Sequence, residues 1–336
     1  MFFRIDTDRT RTPVPIDGLY GGAPRSTCWI VGGGPSLAEA PLDQIARGPA
    51  PTMAINLAGS RRLRPTFWTS YDATPRFHRS TYQDAGILKF LAAGRATDLV
   101  PETTYKVGDC PATLFFDREP GRGYADWLDR GNPRLVDWAD SMVQAIAICV
   151  RLGFRRLLCI GCEMRVRPSE AMQTLATAAG VSHDRRESLG AFVRRCEDAG
   201  LRRSQLAAAA RPRVYHFDED KPLQAAIATD EHYFRVAQSL RLCRRSLAAA
   251  GVELVSATPG SRLNDAFPMR TATDLLADLR AELGHAADER ERGRYRLDRP
   301  RLPAGIGPMQ DVPPYVRPGE SRGRSSPRER NGQSNA

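Results

Sequence analysis

Short apolar runs separated by turn residues form the main pattern of the first hundred residues. The runs lie at residues 27–31, 52–56, 66–70 and 87–91, and glycine, proline or polar residues bound each of them. Continuous apolar runs of this length are typical of strands buried on both faces. The intervals of about 15 to 25 residues between them leave room for helical crossovers. The pattern therefore predicts a parallel α/β sheet.

The segment 140–153 carries the clearest helical pattern of the chain. Asp140 or Ser141 is placed to cap this helix, and Gly153 is placed to end it. An apolar run at residues 156–161 follows the glycine and predicts another strand. The order of helix, turn and strand continues the α/β alternation. The apolar face of the helix consists of Val143, Ile146, Ala147 and Val150.

The remaining pattern divides the chain into three parts. Residues 1–25 lack periodicity and are predicted to form an irregular arm. Residues 26–284 are predicted to form the α/β domain, with a helical insertion at about 169–211. Residues 285–336 are rich in Pro, Gly and Arg and are predicted to be a disordered basic tail. The other predicted elements are strands at 104–107, 113–116, 213–217 and 252–255 and helices at 231–249 and 275–283.

The composition is that of a globular protein without a membrane span. Hydrophobic residues make up 41% and charged residues 26% of the chain. No apolar run reaches the roughly 18 residues of a membrane helix, and the charged N-terminal segment does not resemble a signal peptide. We therefore expect a cytoplasmic protein. The seven cysteines are scattered, and the pair Cys159 and Cys162 lacks a second pair, so neither disulfides nor a zinc site are expected.

The net charge of +10 favours phosphate-bearing ligands more than nucleic acid. Of the 49 basic residues only three are lysines, a bias that genome composition produces without selection for binding. Part of the excess lies in the tail, where 11 arginines face seven acidic residues. Basic and aromatic residues do not alternate as they do in proteins that bind single strands. Nucleic acid is therefore not the expected partner.

A glycine-rich loop, GGGPSL at residues 32–37, follows the first of the buried strand runs. Glycines allow a tight turn and let backbone N–H groups approach a ligand closely. The segment lacks both the lysine of a P-loop and the glycine spacing of a dinucleotide fingerprint. It is interpreted either as a phosphate-binding loop or as a structural turn.

Polar residues stand at the ends of three further predicted strands. Asn56, Asp72 and Glu163 occupy these positions, and the glycine loop ends a fourth strand. In an open α/β sheet, ligands bind outside the carboxyl ends of the strands. The pattern therefore predicts one binding site assembled from four segments.

These segments together resemble a large Rossmann-like group. It includes MptE-like 6-hydroxymethylpterin diphosphokinases, motility-associated glycosyltransferases formerly described as a domain of unknown function and, more distantly, bacterial CMP-sialic-acid sialyltransferases. The resemblance covers roughly residues 26–268 and implies a Rossmann-like, mostly parallel open sheet with flanking helices. Glu163 stands where that group usually has Asp, and the helical insertion is not shared. The matching features are the glycine loop, Asn56, Asp72, the helix beginning at Asp140 and Ser141, Gly161 to Glu163, Asp230 to Tyr233, and residues 251–263.

The resemblance implies that these segments hold a nucleotide or nucleotide-sugar. Asp72 and Glu163 are the predicted ligands of an Mg²⁺ ion, because hard oxygen ligands suit a cation that bridges phosphates. Structural roles as caps, turn residues or surface ion pairs remain open for each position. The predicted binding residues are Gly32, Gly33, Gly34, Pro35, Ser36, Asn56, Asp72, Ser141, Gly161, Glu163, Ser261 and Arg262.

His232 is the predicted general base, since an imidazole titrates near neutral pH. A structural histidine remains the alternative, and His183 and His216 are weaker candidates. The expected activity is glycosyl transfer from a nucleotide-linked donor to a glycan or small alcohol. Two alternatives remain: pyrophosphoryl transfer from ATP with Mg²⁺ to a pterin-like alcohol, and nucleotide or glycan binding without catalysis.

Overall fold

A computed structural model gives the architecture of the chain. It describes residues 1–283 except residues 7, 22–25, 60–61, 122, 125, 129–130 and 211–220. The predicted strand at 213–217, His216 and the predicted tail lie outside the described residues.

The described part of the chain contains strands at its beginning, strands and helices in its middle, and a run of helices before the last strand. The strands are β1 (Phe3–Ile5), β2 (Arg11–Pro13), β3 (Thr27–Val31), β4 (Thr52–Ile55), β5 (Phe67–Thr69), β6 (Leu88–Ala92), β7 (Thr113–Phe116), β8 (Arg118–Pro120), β9 (Leu135–Asp137), β10 (Arg156–Ile160) and β11 (Glu253–Ser256). The helices are α1 (Leu42–Ala46), α2 (Arg79–Gln83), α3 (Ser141–Leu152), α4 (Glu170–Ala178), α5 (Leu189–Asp198), α6 (Arg203–Ala209), α7 (Leu223–Leu242), α8 (Arg244–Ala249) and α9 (Ala272–Leu283).

Within the described residues, nine strands form one sheet in the order β11-β10-β3-β4-β5-β6-β7-β1-β2. The seven strands from β11 to β7 are parallel, which confirms the predicted α/β fold. From β3 the chain builds the sheet in one direction through β4 to β7, and it later returns to place β10 on the other side of β3. The gap between β3 and β10 is thus a topological switch point, where open α/β sheets bind ligands.

Both faces of the central strands are buried, and alternate residues serve different cores. In β3, Cys28 and Ile30 join the core that contains α3, whereas Trp29 and Val31 join the core that contains α1 and α9. This division follows the two-residue period of a strand. Helices therefore cover the sheet on both sides, as the continuous apolar runs predict.

The prediction of an irregular N-terminal arm is wrong for Phe3–Ile5 and Arg11–Pro13. These strands, β1 and β2, pair with each other, and β1 also pairs antiparallel with β7. Phe2 packs edge-on against Phe90 and Phe116, with ring centroids 4.9 and 6.5 Å away. Burial of this one aromatic ring and pairing at the sheet edge override the weak local pattern.

The predicted helix at 140–153 is confirmed as α3. Asp140 caps it, because its Oδ1 accepts the N–H groups of Met142 and Val143 at 2.8 and 2.9 Å. Gly153 ends the helix in the left-handed conformation with φ 103°.

Two other local predictions need correction. Residues 104–107 form no strand, because the segment bends into a short 3-10 helix at Val107–Asp109. The helix predicted at 231–249 begins eight residues earlier, at Leu223, and it divides at Cys243 into α7 and α8.

The helical insertion is present and has its own core. Helices α4, α5 and α6 pack with the first half of α7. Phe192 on α5 is fully buried at the centre of this core. None of the described helices is long and apolar enough to span a membrane.

Lys89 on β6 is completely buried in the sheet. Its ammonium group donates to the carbonyl oxygens of Asp84 and Ile87 at 2.6 and 2.9 Å. Burial lowers its pKa from 10.5 to about 7. Between these two values the unfolded chain holds a proton that the folded chain lacks, so raising the pH across this range stabilises the fold.

We expect the free energy of unfolding to rise by up to about 1.4 kcal/mol per pH unit between about pH 7 and 8.5 because of Lys89. The Lys89→Met variant should lack this contribution, since it has no proton to lose. Urea unfolding of both proteins at several pH values measures the difference. Equal pH slopes for the two proteins would contradict the assignment.

Candidate functional site

A cavity of about 350 Å³ opens at the switch point between β3 and β10. Its walls come from the loops after β3, β4, β5 and β10, from the start of α3 and from one face of α7. The volume lies near the lower end of the roughly 300 to 1,000 Å³ range of small-molecule sites. Nine predicted site residues line it, namely Gly32, Gly33, Gly34, Asn56, Asp72, Ser141, Gly161, Glu163 and His232.

The glycine loop makes close contact with the strand beside it. The N–H groups of Gly32 and Gly34 donate to the carbonyl oxygens of Ile160 and Gly161, both at 2.8 Å. Gly34 has φ −70° and ψ 159°, a conformation open to any residue. At position 32 a glycine is required because there is no space for a side chain: a Cβ on Gly32 would lie 2.5 Å from the carbonyl oxygen of Gly161.

The carboxylate of Glu163 lies directly on this loop. Its Oε1 accepts the N–H of Ser36 at 2.7 Å, and a Cβ on Gly34 would lie 1.4 Å from Oε2. Oε2 is buried without a hydrogen-bond partner. Pro35 and Ser36 begin a 3-10 helix and do not line the cavity. A carboxylate therefore occupies the place predicted for phosphate.

Asn56 organises the polar groups at the ends of β4 and β5. It adopts the left-handed conformation with φ 55°, which asparagine tolerates better than most residues. Its Oδ1 accepts the hydroxyls of Ser70 and Ser141 at 2.6 and 2.9 Å. The Ser141 hydroxyl also accepts the N–H of Tyr71 at 2.9 Å. The Nδ2 donor of Asn56 has no protein partner among the described residues, so it is available to a ligand.

His232 lies on α7 and is held by Asp140. Its Nε2 is 3.0 Å from Oδ2 of Asp140, the oxygen that does not cap α3. The His232 side chain is 37% exposed, whereas that of Asp140 is 9% exposed. An ionised Asp140 accepts the Nε2–H, which leaves Nδ1 as the proton acceptor. The pair has the geometry of a histidine base oriented by a carboxylate.

Asp72 forms a salt bridge with Arg76 at 2.5 Å, four residues further along. Glu163 already uses one of its oxygens on Ser36. In the described parts of the chain, no group of three or more His, Cys, Asp or Glu side chains is arranged to hold a metal ion. Of the predicted Mg²⁺ ligands, Glu163 alone shows a carboxylate oxygen that is buried and unpartnered.

Ser261 and Arg262 lie outside the cavity lining and have internal partners. The Ser261 hydroxyl donates to the carbonyl oxygen of Cys162 at 2.6 Å. Arg262 forms a buried salt bridge with Asp230, with N–O distances of 2.9 and 3.2 Å. A contact of Ser261 or Arg262 with a bound nucleotide would require the residue to give up these partners.

The Cys159 and Cys162 thiols are both buried. A hydrogen bond with Cys159 and burial raise the pKa of the Cys162 thiol well above its usual value. A protonated thiol is a poor nucleophile and a poor metal ligand. Both side chains belong to the apolar core on the α3 side of the sheet, and Cys162 also lines the cavity.

Several lining residues were not predicted from the sequence. Asp140 was recognised as a helix cap, but its second oxygen, which binds His232, carries no sequence signal of its own. Arg165 follows Glu163 by two residues, so a search for cations near the strand ends would have found it. The other unpredicted polar lining residues are Tyr71, Arg76, Lys221 and Thr229.

No protein-family model matches this chain, and no curated protein or solved structure matches it either. The functional argument therefore depends on the residues of the cavity.

Proposed function

We propose that the protein is a nucleotide-dependent group transferase that moves a sugar from a nucleotide-linked donor to a hydroxyl of a glycan or small alcohol. The observation that carries the proposal is the His232–Asp140 pair, which faces a cavity at the switch point of a parallel sheet. That location is the usual place for nucleotides in open α/β sheets.

The chemistry assigns His232 the role of general base. The acceptor hydroxyl gives its proton to Nδ1 of His232 while its oxygen forms the bond to the donor carbon of the sugar. The bond from that carbon to the phosphate oxygen breaks, and its electron pair stays on the nucleotide. Asp140 keeps the imidazole in the accepting tautomer and stabilises the imidazolium that forms.

The donor is oriented by groups that have unused hydrogen-bonding capacity. Nδ2 of Asn56 can donate to a ribose, base or sugar oxygen, since Oδ1 already holds two hydroxyls. Arg165 and Lys221 add positive charge to the cavity wall. Positive groups placed where charge develops on a leaving phosphate lower the barrier for its departure.

A second candidate is pyrophosphoryl transfer from ATP with Mg²⁺. The unpartnered Oε2 of Glu163 favours it, because a buried carboxylate oxygen without a donor is a suitable ligand for a hard cation. Asp72 could act as the second ligand of the cation only after its salt bridge with Arg76 is broken.

Thermal unfolding with CMP, CDP, UDP, GDP and ATP, each with and without Mg²⁺, tests both candidates on the full chain. A nucleotide at about 100 times its dissociation constant should stabilise the fold by roughly 2.7 kcal/mol. We expect stabilisation by a pyrimidine nucleotide without Mg²⁺ and its loss in Asn56→Ala.

Stabilisation by ATP only when Mg²⁺ is present would support pyrophosphoryl transfer. Binding of a nucleotide without turnover of any sugar donor would indicate a non-catalytic binding protein. No stabilisation by any nucleotide would contradict the proposed function.

A further inference from the structure

We propose that Arg165 binds the phosphate of the ligand, and that the glycine loop does not. The inference rests on the proposed function for the identity of the ligand as a nucleotide, but the anion site itself follows from the charges of the cavity. The inference places the phosphate of the ligand against the loop that follows β10.

The glycine loop offers little to an anion. The N–H groups of Gly32, Gly34 and Ser36 are used within the protein and Pro35 has none, so of residues 32–36 only Gly33 keeps an N–H without a partner in the described part of the chain. The Glu163 carboxylate also lies against Gly34, within 1.4 Å of a Cβ position. A phosphate placed there would meet a carboxylate, and like charges at such contact repel each other.

Arg165, in contrast to the glycine loop, offers a positive charge to an anion. It lines the cavity two residues after Glu163, and its Nη1 donates to the carbonyl oxygen of Arg185 at 2.6 Å. Its Nε is buried without a hydrogen-bond partner. Among the described residues, no carboxylate forms a salt bridge with it. Arg165 therefore brings a positive charge to the cavity that none of the described carboxylates neutralises through a salt bridge.

The surroundings of Arg165 make its positive charge less favourable still. Burial lowers its pKa, and the positive charges of Arg262 and Arg167 lower it further, while Asp265 and Asp230 raise it by less. A half-buried guanidinium near like charges gains more from an anionic ligand than one that already has a carboxylate partner.

The other arginines nearby are already engaged. Arg76 lines the cavity but is bound to Asp72, and Arg262 is bound to Asp230 outside the cavity. The guanidinium plane of Arg165 presents paired N–H groups, which match two oxygens of a phosphate better than an ammonium does.

Arg167 provides a matched control for the test. It lies in the same loop, carries the same charge, does not line the cavity and donates to the carbonyl oxygen of Gly260 at 3.1 Å. Isothermal titration calorimetry on the full chain measures the binding of inorganic pyrophosphate, of the nucleotides CMP and UDP, and of cytidine and uridine, which lack the phosphate. The proteins are the wild type, Arg165→Ala, Arg165→Lys and Arg167→Ala, each with its thermal unfolding recorded.

We expect Arg165→Ala to weaken binding of pyrophosphate and of the preferred nucleotide by about 10- to 100-fold. Cytidine or uridine should bind as before, because it has no phosphate. Arg165→Lys should recover part of the loss, and Arg167→Ala should stay within about twofold of the wild type.

Unchanged nucleotide and pyrophosphate binding in Arg165→Ala would overturn the inference and leave the proposed function standing. Pyrophosphate binding that depends on Arg165, without binding of any nucleotide, would support the anion site and contradict the proposed function. If the wild type binds neither pyrophosphate nor a nucleotide, both proposals fail.

Discussion

Replacing His232 with alanine is expected to reduce sugar transfer by about 100- to 10,000-fold, because a positioned general base contributes an acceleration of that order. Nucleotide binding should change little, since the imidazole acts on the acceptor hydroxyl. The assay is release of CMP or UDP from the corresponding nucleotide sugar, with binding measured in parallel. A loss of binding equal to the loss of turnover would contradict a role limited to proton transfer.

Asp140→Asn gives a sharper test of the same pair. The asparagine Oδ1 can still accept the N–H groups of Met142 and Val143, so α3 keeps its cap. Its Nδ2 would then donate to Nε2 of His232, which moves the ring proton to Nδ1 and removes the base. We expect turnover to fall by at least about 100-fold with an unchanged unfolding temperature.

His183 supplies the control for both variants. It lies in the helical insertion, where its ring packs edge-on against Phe192 at 5.2 Å, and it does not line the cavity. His183→Gln should leave turnover at the wild-type rate. Wild-type turnover in His232→Ala would exclude the histidine from the mechanism.

Removal of the Asp230 carboxylate is expected to give the largest loss of stability, about 3 to 5 kcal/mol. Asp230 is fully buried on α7. It accepts the N–H groups of Val166 and Leu189 at 2.8 and 3.0 Å, and it pairs with Arg262. Asp230→Ala would leave a buried guanidinium and two buried N–H groups without their acceptor. The loss would be a large part of the roughly 5 to 15 kcal/mol that stabilises a typical domain.

Urea unfolding followed by circular dichroism measures this loss. Glu197→Ala is the control, because Glu197 forms an exposed salt bridge with Arg203 in the same helical insertion. Such pairs contribute less than about 1 kcal/mol. A loss below about 1 kcal/mol in Asp230→Ala would contradict the role of Asp230 as the buried acceptor for Arg262 and for the N–H groups of Val166 and Leu189.

The fold was largely predictable because its signals are local. The apolar runs identified β3 to β6, β10 and β11 through their length and their bounding turn residues. Asp140 and Gly153 marked the ends of α3 through capping rules that need only neighbouring residues. The hairpin at residues 3–13 was missed because its stability comes from Phe2 and from pairing with β7, which lies about a hundred residues away.

The candidate site was predictable in position but not in the role of each group. Polar residues after parallel strands must meet at one edge, so Asn56, Asp72 and Glu163 were expected to lie near the glycine loop. Their hydrogen-bond partners are far away in the chain, and no local pattern records them. Glu163 is 127 residues from Ser36, and Asp140 is 92 residues from His232.

The sequence by itself therefore determined the α/β class, the central parallel strands and the edge of the sheet where a ligand would bind. These features depend on side-chain periodicity and turn chemistry, which act over a few residues. Only the tertiary structure decided that a carboxylate lies on the glycine loop, that His232 is paired with Asp140 and that Arg262 is committed to Asp230. The reason is physical: buried polar groups satisfy one another through distant contacts, and the groups left over include His232 Nδ1, Asn56 Nδ2, Arg165 and Oε2 of Glu163, the candidates for contact with a ligand.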